Sequence, residues 1–264
     1  VLVEKVIIFI LFCAQKYVFL KKLFKNMQGI ILAAGKGTRL APLTHVVPKA
    51  LVKINGMTLL DVNLRKLLSA GVCPMVINLH TFSRLIKQHV LFHYDREDIL
   101  FSEEPFEILG TGGGIVQAAS FLSSSDAVLV HNVDVLSDLD FKKLFETYST
   151  SNADVLLVVK KRHSSRELLF DHHTMEWLGW RGQNEQLLVK PSSHVDSFGF
   201  CGISLFNTQF LHGISERGQF SFIHLLKLLH HAGAKIKAFP IQNAWMDAGK
   251  LVDLKLARQF LEKQ

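Results

Sequence analysis

Gly35-Lys36-Gly37-Thr38-Arg39 sets two glycines and a cation directly behind the apolar run at residues 29–33. A turn without Cβ atoms lets backbone N–H groups close on phosphate oxygens, and a guanidinium beside it neutralises their charge. Pro48-Lys49 follows with a second cation on a stretch that the proline restrains. Two common phosphate loops are excluded. A dinucleotide fingerprint needs a third glycine where Leu40 stands, and a Walker loop needs Gly-Lys-Ser/Thr after four spacers. Taken alone, the turn does not separate a phosphate site from a plain strand-to-helix connection.

The elements that must hold these residues alternate. Short apolar runs at 29–33, 75–79, 98–101, 127–130 and 154–159 read as buried strands. Between them, 59–70 carries helical spacing closed by Gly71, Thr81 can cap a helix to about residue 92, and helices are expected at 115–121 and 139–148. The glycine run 110–114 reads as the loop before one of these. Repeated βαβ units require a Rossmann-like α/β fold: a mostly parallel sheet, right-handed crossovers, and helices on both faces. Ligands then bind at the carboxyl ends of the strands, where the glycine turn and the acidic strand end at Asp134 both lie. From about 161 to 207 the segments shorten, as at 167–170, 177–180 and 199–206, and an antiparallel β subregion is expected. A helix at 220–231, a strand at 235–239 and a terminal helix from about residue 250 close the chain. One compact domain over 27–264 is expected.

The chain of 264 residues carries a net charge of +7, but five lysines against Glu4 put +4 of it in residues 1–26. The rest is scattered among acids, which is no nucleic-acid groove. Residues 1–26 are apolar and basic, and their longest apolar run, 6–14, is too short to span a bilayer. Residues 1–26 are read first as an extension upstream of the native start, because Met27 stands two residues before the strand and glycine motif. A weak membrane-surface helix and a signal peptide are the alternatives. Cys13, Cys73 and Cys201 are odd in number and widely spaced, so neither a disulfide framework nor a zinc knuckle is expected, and the compartment expected is the cytoplasm.

The combination of motifs resembles the sugar-1-phosphate nucleotidyltransferases. The resemblance runs through residues 32–40, Pro48-Lys49-Ala50-Leu51, Leu109-Gly110-Thr111-Gly112-Gly113-Gly114, Asp134, and Trp245-Met246-Asp247-Ala248-Gly249. It is closest to the short branch that handles N-acetylmuramic acid 1-phosphate or mannose 1-phosphate. It implies a nucleotide-diphospho-sugar transferase type of fold and transfer of a nucleoside monophosphate from an NTP to a sugar 1-phosphate, with Mg²⁺ as cofactor. The implied partners are these small molecules, with no nucleic acid or membrane, and a homo-oligomer is allowed. Ala33, Ala34, Gly35, Gly37 and Thr38 would wrap the triphosphate with Arg39. Lys49 would stand near the α-phosphate and sugar phosphate, and Gly112 and Gly113 beside base and ribose, with Asn78 in the same neighbourhood. Arg39, Lys49 and Asp134 would be catalytic, and Asp134 and Asp247 would hold the metal. Uridine with an amino sugar is the first substrate pair implied, guanosine with mannose or a heptose the second.

Two features lie outside that pattern. Val133 stands where the family has glycine before the acid, and the family's lysine contacting sugar or phosphate is not assigned, Lys160 and Lys190 both fitting. A catalytically silent nucleotide-sugar sensor on the same fold, or a glycosyltransferase, is the alternative. The pairs His172-His173 and His230-His231 are expected in solvent, Trp177 and Trp180 in the hairpin core with stacking on a sugar or base as the alternative, and Phe222, Leu225, Leu226 and Leu229 on a core face.

Overall fold

The computed structural model describes residues 27–94, 97–123, 127–183 and 185–263. The expectations for residues 1–26 and for Cys13 lie outside the described residues.

Strands β1 (Met27–Leu32), β4 (Met75–Leu79), β5 (Ile99–Glu103) and β6 (Ala127–Asn132) form a parallel core in the order β6-β1-β4-β5. Side chains alternate across it. On β1, Met27 and Ile31 enter the core on one face, and Ile30 enters the core on the other. The first face is covered by α1 (Leu59–Ser69), α2 (Ser83–His93) and α4 (Phe141–Thr150). The second is covered by α3 (Gly110–Ala119), α5 (Thr208–Gly213) and α6 (Phe222–His231). Leu225, Leu226 and Leu229 are fully buried, as their helical spacing predicts.

The rest of the sheet joins this core through one antiparallel strand. Strand β12 (Val195–Phe206) pairs through its second half with β6 and through its first half with β9 (Glu167–Asp171), while β8 (Val155–Lys160) runs along its opposite edge, shifting register between Phe200 and Ser204. Strand β8 is therefore not the next parallel neighbour of β6; its parallel partner is β13 (Ile236–Pro240). β10 (Trp177–Arg181) and β11 (Gln186–Leu188) complete a mixed ten-stranded sheet. Short pairs β2 (Lys53–Ile54) with β3 (Met57–Thr58), and β7 (Val135–Ser137) with β14 (Trp245–Asp247), lie off it. A third apolar cluster of Leu40, Ile54, Leu136 and Ala248 joins the glycine turn to α7 (Leu251–Leu261) through Ala257. Among the described residues no helix is long and apolar enough to cross a membrane.

Helix starts differ from expectation in physically clear ways. Phe82, in left-handed backbone at φ 60°, precedes α2, so Thr81 is not its cap. Helix α3 begins within the glycine run rather than after it. Gly112 N–H donates to Phe220 O at 3.1 Å, and a Cβ on Gly113 would lie 2.2 Å from Gly218 O. Close approach of the 218–221 segment needs bare backbone there, and that packing overrides the poor helix propensity of glycine.

Candidate active site

Parallel register brings the carboxyl ends of β1, β4 and β6 to one level: Leu32 pairs with both Asn78 and Asn132. A cavity of about 210 Å³ opens there, lined on one side by Ala34, Gly35, Lys49 and Asp134, and on the other by Asn78, Glu104, Gly110 and Thr111.

The phosphate-type turn is built around Gly37, whose φ of 64° is left-handed. Thr44 Oγ donates to Gly37 O at 2.9 Å, and the chain enters a 3₁₀ turn, Thr38–Leu40, that buries Leu40 and leaves Arg39 facing out. Another 3₁₀ turn, Lys49–Leu51, follows Pro48 and turns Lys49 into the cleft. Its ammonium donates to Asp134 Oδ2.

The two carboxylates meet because β7 and β14 pair. Asp247 lies opposite Val135, and Ala248 N–H donates to Asp134 O at 2.8 Å. Val133 is 4% exposed and packs in the core below, so the residue that replaces the family's glycine points its bulk away from the acid. A Cβ on Gly249 would lie 2.4 Å from Asp247 Oδ1 and 2.9 Å from Arg39 Nη2, so glycine there keeps acid and guanidinium together. Arg39 Nη2 stands 3.8 Å from Asp247 Oδ2.

Burial pushes the Asp134 carboxyl up, but the Lys49 charge and hydrogen bond outweigh it and hold the group below the usual carboxylate range. Asp247 goes the other way. Burial and then the adjacent Asp134 charge push it up to about 6, against the weaker pull of Lys49 and Arg39. Asp247 Oδ1 is buried with no hydrogen-bond partner. Two crowded carboxylates with an orphaned oxygen and no sulfur or imidazole donor fit a hard divalent cation that completes its shell from substrate and water. Among the described residues no group of three His, Cys, Asp or Glu side chains gathers to hold a metal alone.

Asn78 is buried at the opposite wall, where its Nδ2 donates to Glu104 Oε1 at 2.7 Å. The other Glu104 oxygen accepts from Leu109 N at 2.8 Å, which anchors the loop before α3. Gly110 and Thr111 line the cleft, whereas Gly112 and Gly113 face the 218–221 segment. Glu104 and Asn132 are cleft residues that the motifs did not point to. An acid just past a strand end was the available signal for Glu104, as it is for Asp134. Lys160 donates to the carbonyls of Gln242 and Asn243, at 3.3 and 2.5 Å, ahead of β14, and Lys190 stands in the hairpin 3.5 Å from Glu176.

Comparison with known proteins fits this geometry. The family model described as nucleotidyl transferase matches residues 28–264. Mannose-1-phosphate guanyltransferase of Gibberella zeae is 29% identical over 236 residues, covering 86% of this chain and 62% of the relative. N-acetylmuramate alpha-1-phosphate uridylyltransferase of Caulobacter vibrioides is 40% identical over 109 residues, covering 40% of this chain and 45% of the relative. The chain thus spans about three fifths of the length of the first of these relatives and less of the second. Among solved structures, the inositol-1-phosphate CTP transferase from T. maritima superposes with a TM-score of 0.71 at 18% identity, covering 90% and 95% of the two chains. HddC from Yersinia pseudotuberculosis, complexed with GMP-PN, gives 0.68 at 22% identity over 89% and 99%. With the fold shared and the family match running from β1 through α7, this chain belongs to the nucleotidyl transferase family.

Proposed function

We propose that this protein transfers a nucleoside monophosphate from an NTP to a sugar 1-phosphate, releasing pyrophosphate, with Mg²⁺ as cofactor. The observation that carries this reading is the convergence of two cations and two carboxylates from separate segments in one cluster, Lys49 and Asp134 lining the cleft with Asp247 and Arg39 beside them.

In this reaction a sugar-phosphate oxygen attacks the α-phosphorus in line, the new P–O bond forms, and the bond to pyrophosphate breaks. No covalent enzyme intermediate is needed, so the protein's work is to align two anions that repel each other and to neutralise moving charge. The N–H groups of the turn from Ala33 to Thr38 and the Arg39 guanidinium hold the triphosphate. Lys49, packed beside that turn, faces the α-phosphate and the incoming phosphate. Asp134 and Asp247 would hold Mg²⁺, which when bound offsets negative charge on the phosphate oxygens. The Asn78–Glu104 pair, with Gly110 and Thr111, forms the wall against base and ribose. Gly112 and Gly113 act there through backbone packing, by placing the start of α3.

A raised acid at the metal position gives a pH dependence. Below about pH 6 Asp247 takes up a proton in the metal-free protein, so each pH unit further down weakens Mg²⁺ binding by about tenfold. Above that pH the carboxylate is already ionised and affinity levels off. Mg²⁺ titrations of the melting temperature at pH 5 and pH 7.5 measure this; equal affinities at the two values would remove Asp247 from the metal site.

The reaction is tested by pyrophosphate release from the full chain with Mg²⁺, scanning four NTPs against a panel of sugar 1-phosphates. The relatives are named for guanylyl, uridylyl and cytidylyl transfer, so the panel includes all of these, with uridine and an amino sugar as the first pair and guanosine with mannose or a heptose as the second. Release only when one NTP and one sugar phosphate are both present supports the proposal. Nucleotide binding without release for any pair favours a sensor.

A further inference from the structure

The cleft does not end at Gly110 and Thr111. A cavity of about 450 Å³ shares those two residues and runs past Gln219 to Arg166. A further cavity of about 300 Å³ shares Arg166 with it and is bounded by Trp180 and Lys227. Together they form one trough leading away from the glycine turn and the carboxylates.

The trough has a distinctive lining. Arg166 enters it just before β9, Trp180 from β10 and Lys227 from α6. Neighbouring charged side chains are paired: Arg181 with Glu167 at 3.9 Å, Lys190 with Glu176 at 3.5 Å, and His224 with Glu216 at 2.9 Å. Arg166 and Lys227 are not. Among the described residues neither side chain has a hydrogen-bond or ion-pair partner, and Arg166 is bonded only through its backbone N–H, to Ser164 Oγ at 3.4 Å. Exposed Glu185 is the single carboxylate among the lining residues.

Trp180 is half-buried, unlike Trp177, which sits in the core. Its ring rests on Gly182, where a Cβ would lie 2.8 Å from Cζ3, so the indole is held in place along the trough wall. An indole offers its face to the C–H surface of a pyranose. A guanidinium takes a carboxylate or phosphate through two parallel N–H donors, and an ammonium adds a point charge. Isolated surface cations are common and need no ligand. Two unpaired cations in one concave trough, beside a fixed indole and continuous with the reaction cleft, are a different arrangement.

We propose that this trough selects an acceptor sugar that carries a second acidic group, a carboxylate or a phosphate, with the acid held between Arg166 and Lys227 and the sugar against Trp180. The inference rests on the nucleotidyl-transfer reading and narrows its substrate to acidic sugar 1-phosphates.

Calorimetric titration of the full chain in Mg²⁺ with glucose 1-phosphate, glucuronic acid 1-phosphate and glucose 1,6-bisphosphate tests it. The expected result is at least tenfold tighter binding of one or both acidic sugars than of glucose 1-phosphate. The carboxylate arm and the phosphate arm then say which acid is read. In R166Q and in K227Q, checked for native circular dichroism, that ratio is expected to fall below about threefold. Extra charge alone would favour the acidic sugars through Lys49 and Arg39, so an undiminished ratio in both variants overturns the proposal. So does equal binding of all three sugars by the unmodified protein. Pyrophosphate release is followed separately: its absence for every pair defeats the reaction assignment, while the binding ratios still decide the trough.

Discussion

Asp134→Asn is expected to lower the rate of pyrophosphate release by about a thousandfold or more at saturating NTP and sugar phosphate, a loss typical of removing a main electrostatic contact in phosphoryl transfer. The substitution keeps shape and removes charge. The backbone bond from Ala248 N–H to Asp134 O persists, and Val133 stays in the core, so the strand end keeps its position. What changes is electrostatic. The side chains of Lys49 and Asp134 are only 11% and 14% exposed, so a neutral amide leaves Lys49 without its counterion. One of the two carboxylates proposed to hold Mg²⁺ is also gone, which would weaken its binding. Leaving a buried charge unpaired costs stability as well, so the melting temperature falls while circular dichroism stays native. Turnover within tenfold of the unmodified protein, under those controls, would exclude Asp134 from the reaction.

The parts of this site that the sequence announces are those where chemistry and local pattern coincide. Gly35, Gly37 and Arg39 follow an apolar strand directly, and Asp134 closes another, so each is visible as a charge or glycine at a strand end. Glu104 follows the same rule but hides behind Ser102 and Glu103, which make β5 read as ending at Phe101. Strand β12 was half legible. Its first half pairs with β9 and reaches β8 only at Gly199 and Phe200, and nothing local says that its second half inserts between β6 and β8. That choice is made by long-range pairing, which period and propensity do not encode. The glycine run misleads for a related reason: its glycines serve contacts with a segment far along the chain, so a stretch with loop composition forms the first turn of α3. Asp247 is joined to Asp134 only by the β7–β14 pairing, and no spacing rule reaches across that distance. The resemblance supplied that pair; the residues alone did not. Trp177 and Trp180 show the limit of pattern in miniature, since two aromatics on one short strand have different fates, one in the core and one on the trough.

Lys49→Gln is expected to move two measurements in opposite directions. Turnover should fall by about a hundredfold or more, because in the proposed reaction the ammonium that would face both phosphates as they are pressed together is lost. Mg²⁺ binding to the substrate-free protein should instead tighten, by about tenfold. Lys49 and a divalent cation compete for the same acid: with Lys49 bonded to Asp134 Oδ2, a cation reaches that oxygen only by displacing it. Glutamine is neutral and leaves Asp134 ionised without a competitor, and the change of one neighbouring charge is worth about one pK unit or a factor of ten. Protein stability without Mg²⁺ drops, since Asp134 beside Asp247 then has no adjacent ammonium, and added Mg²⁺ restores more of it than in the unmodified protein. Melting temperature against Mg²⁺ concentration reads both effects in one series. Weaker Mg²⁺ binding in Lys49→Gln would mean that the ammonium supports the cation site rather than occupying its place, and Lys49 would then act by orienting Asp134 instead of by meeting the phosphates.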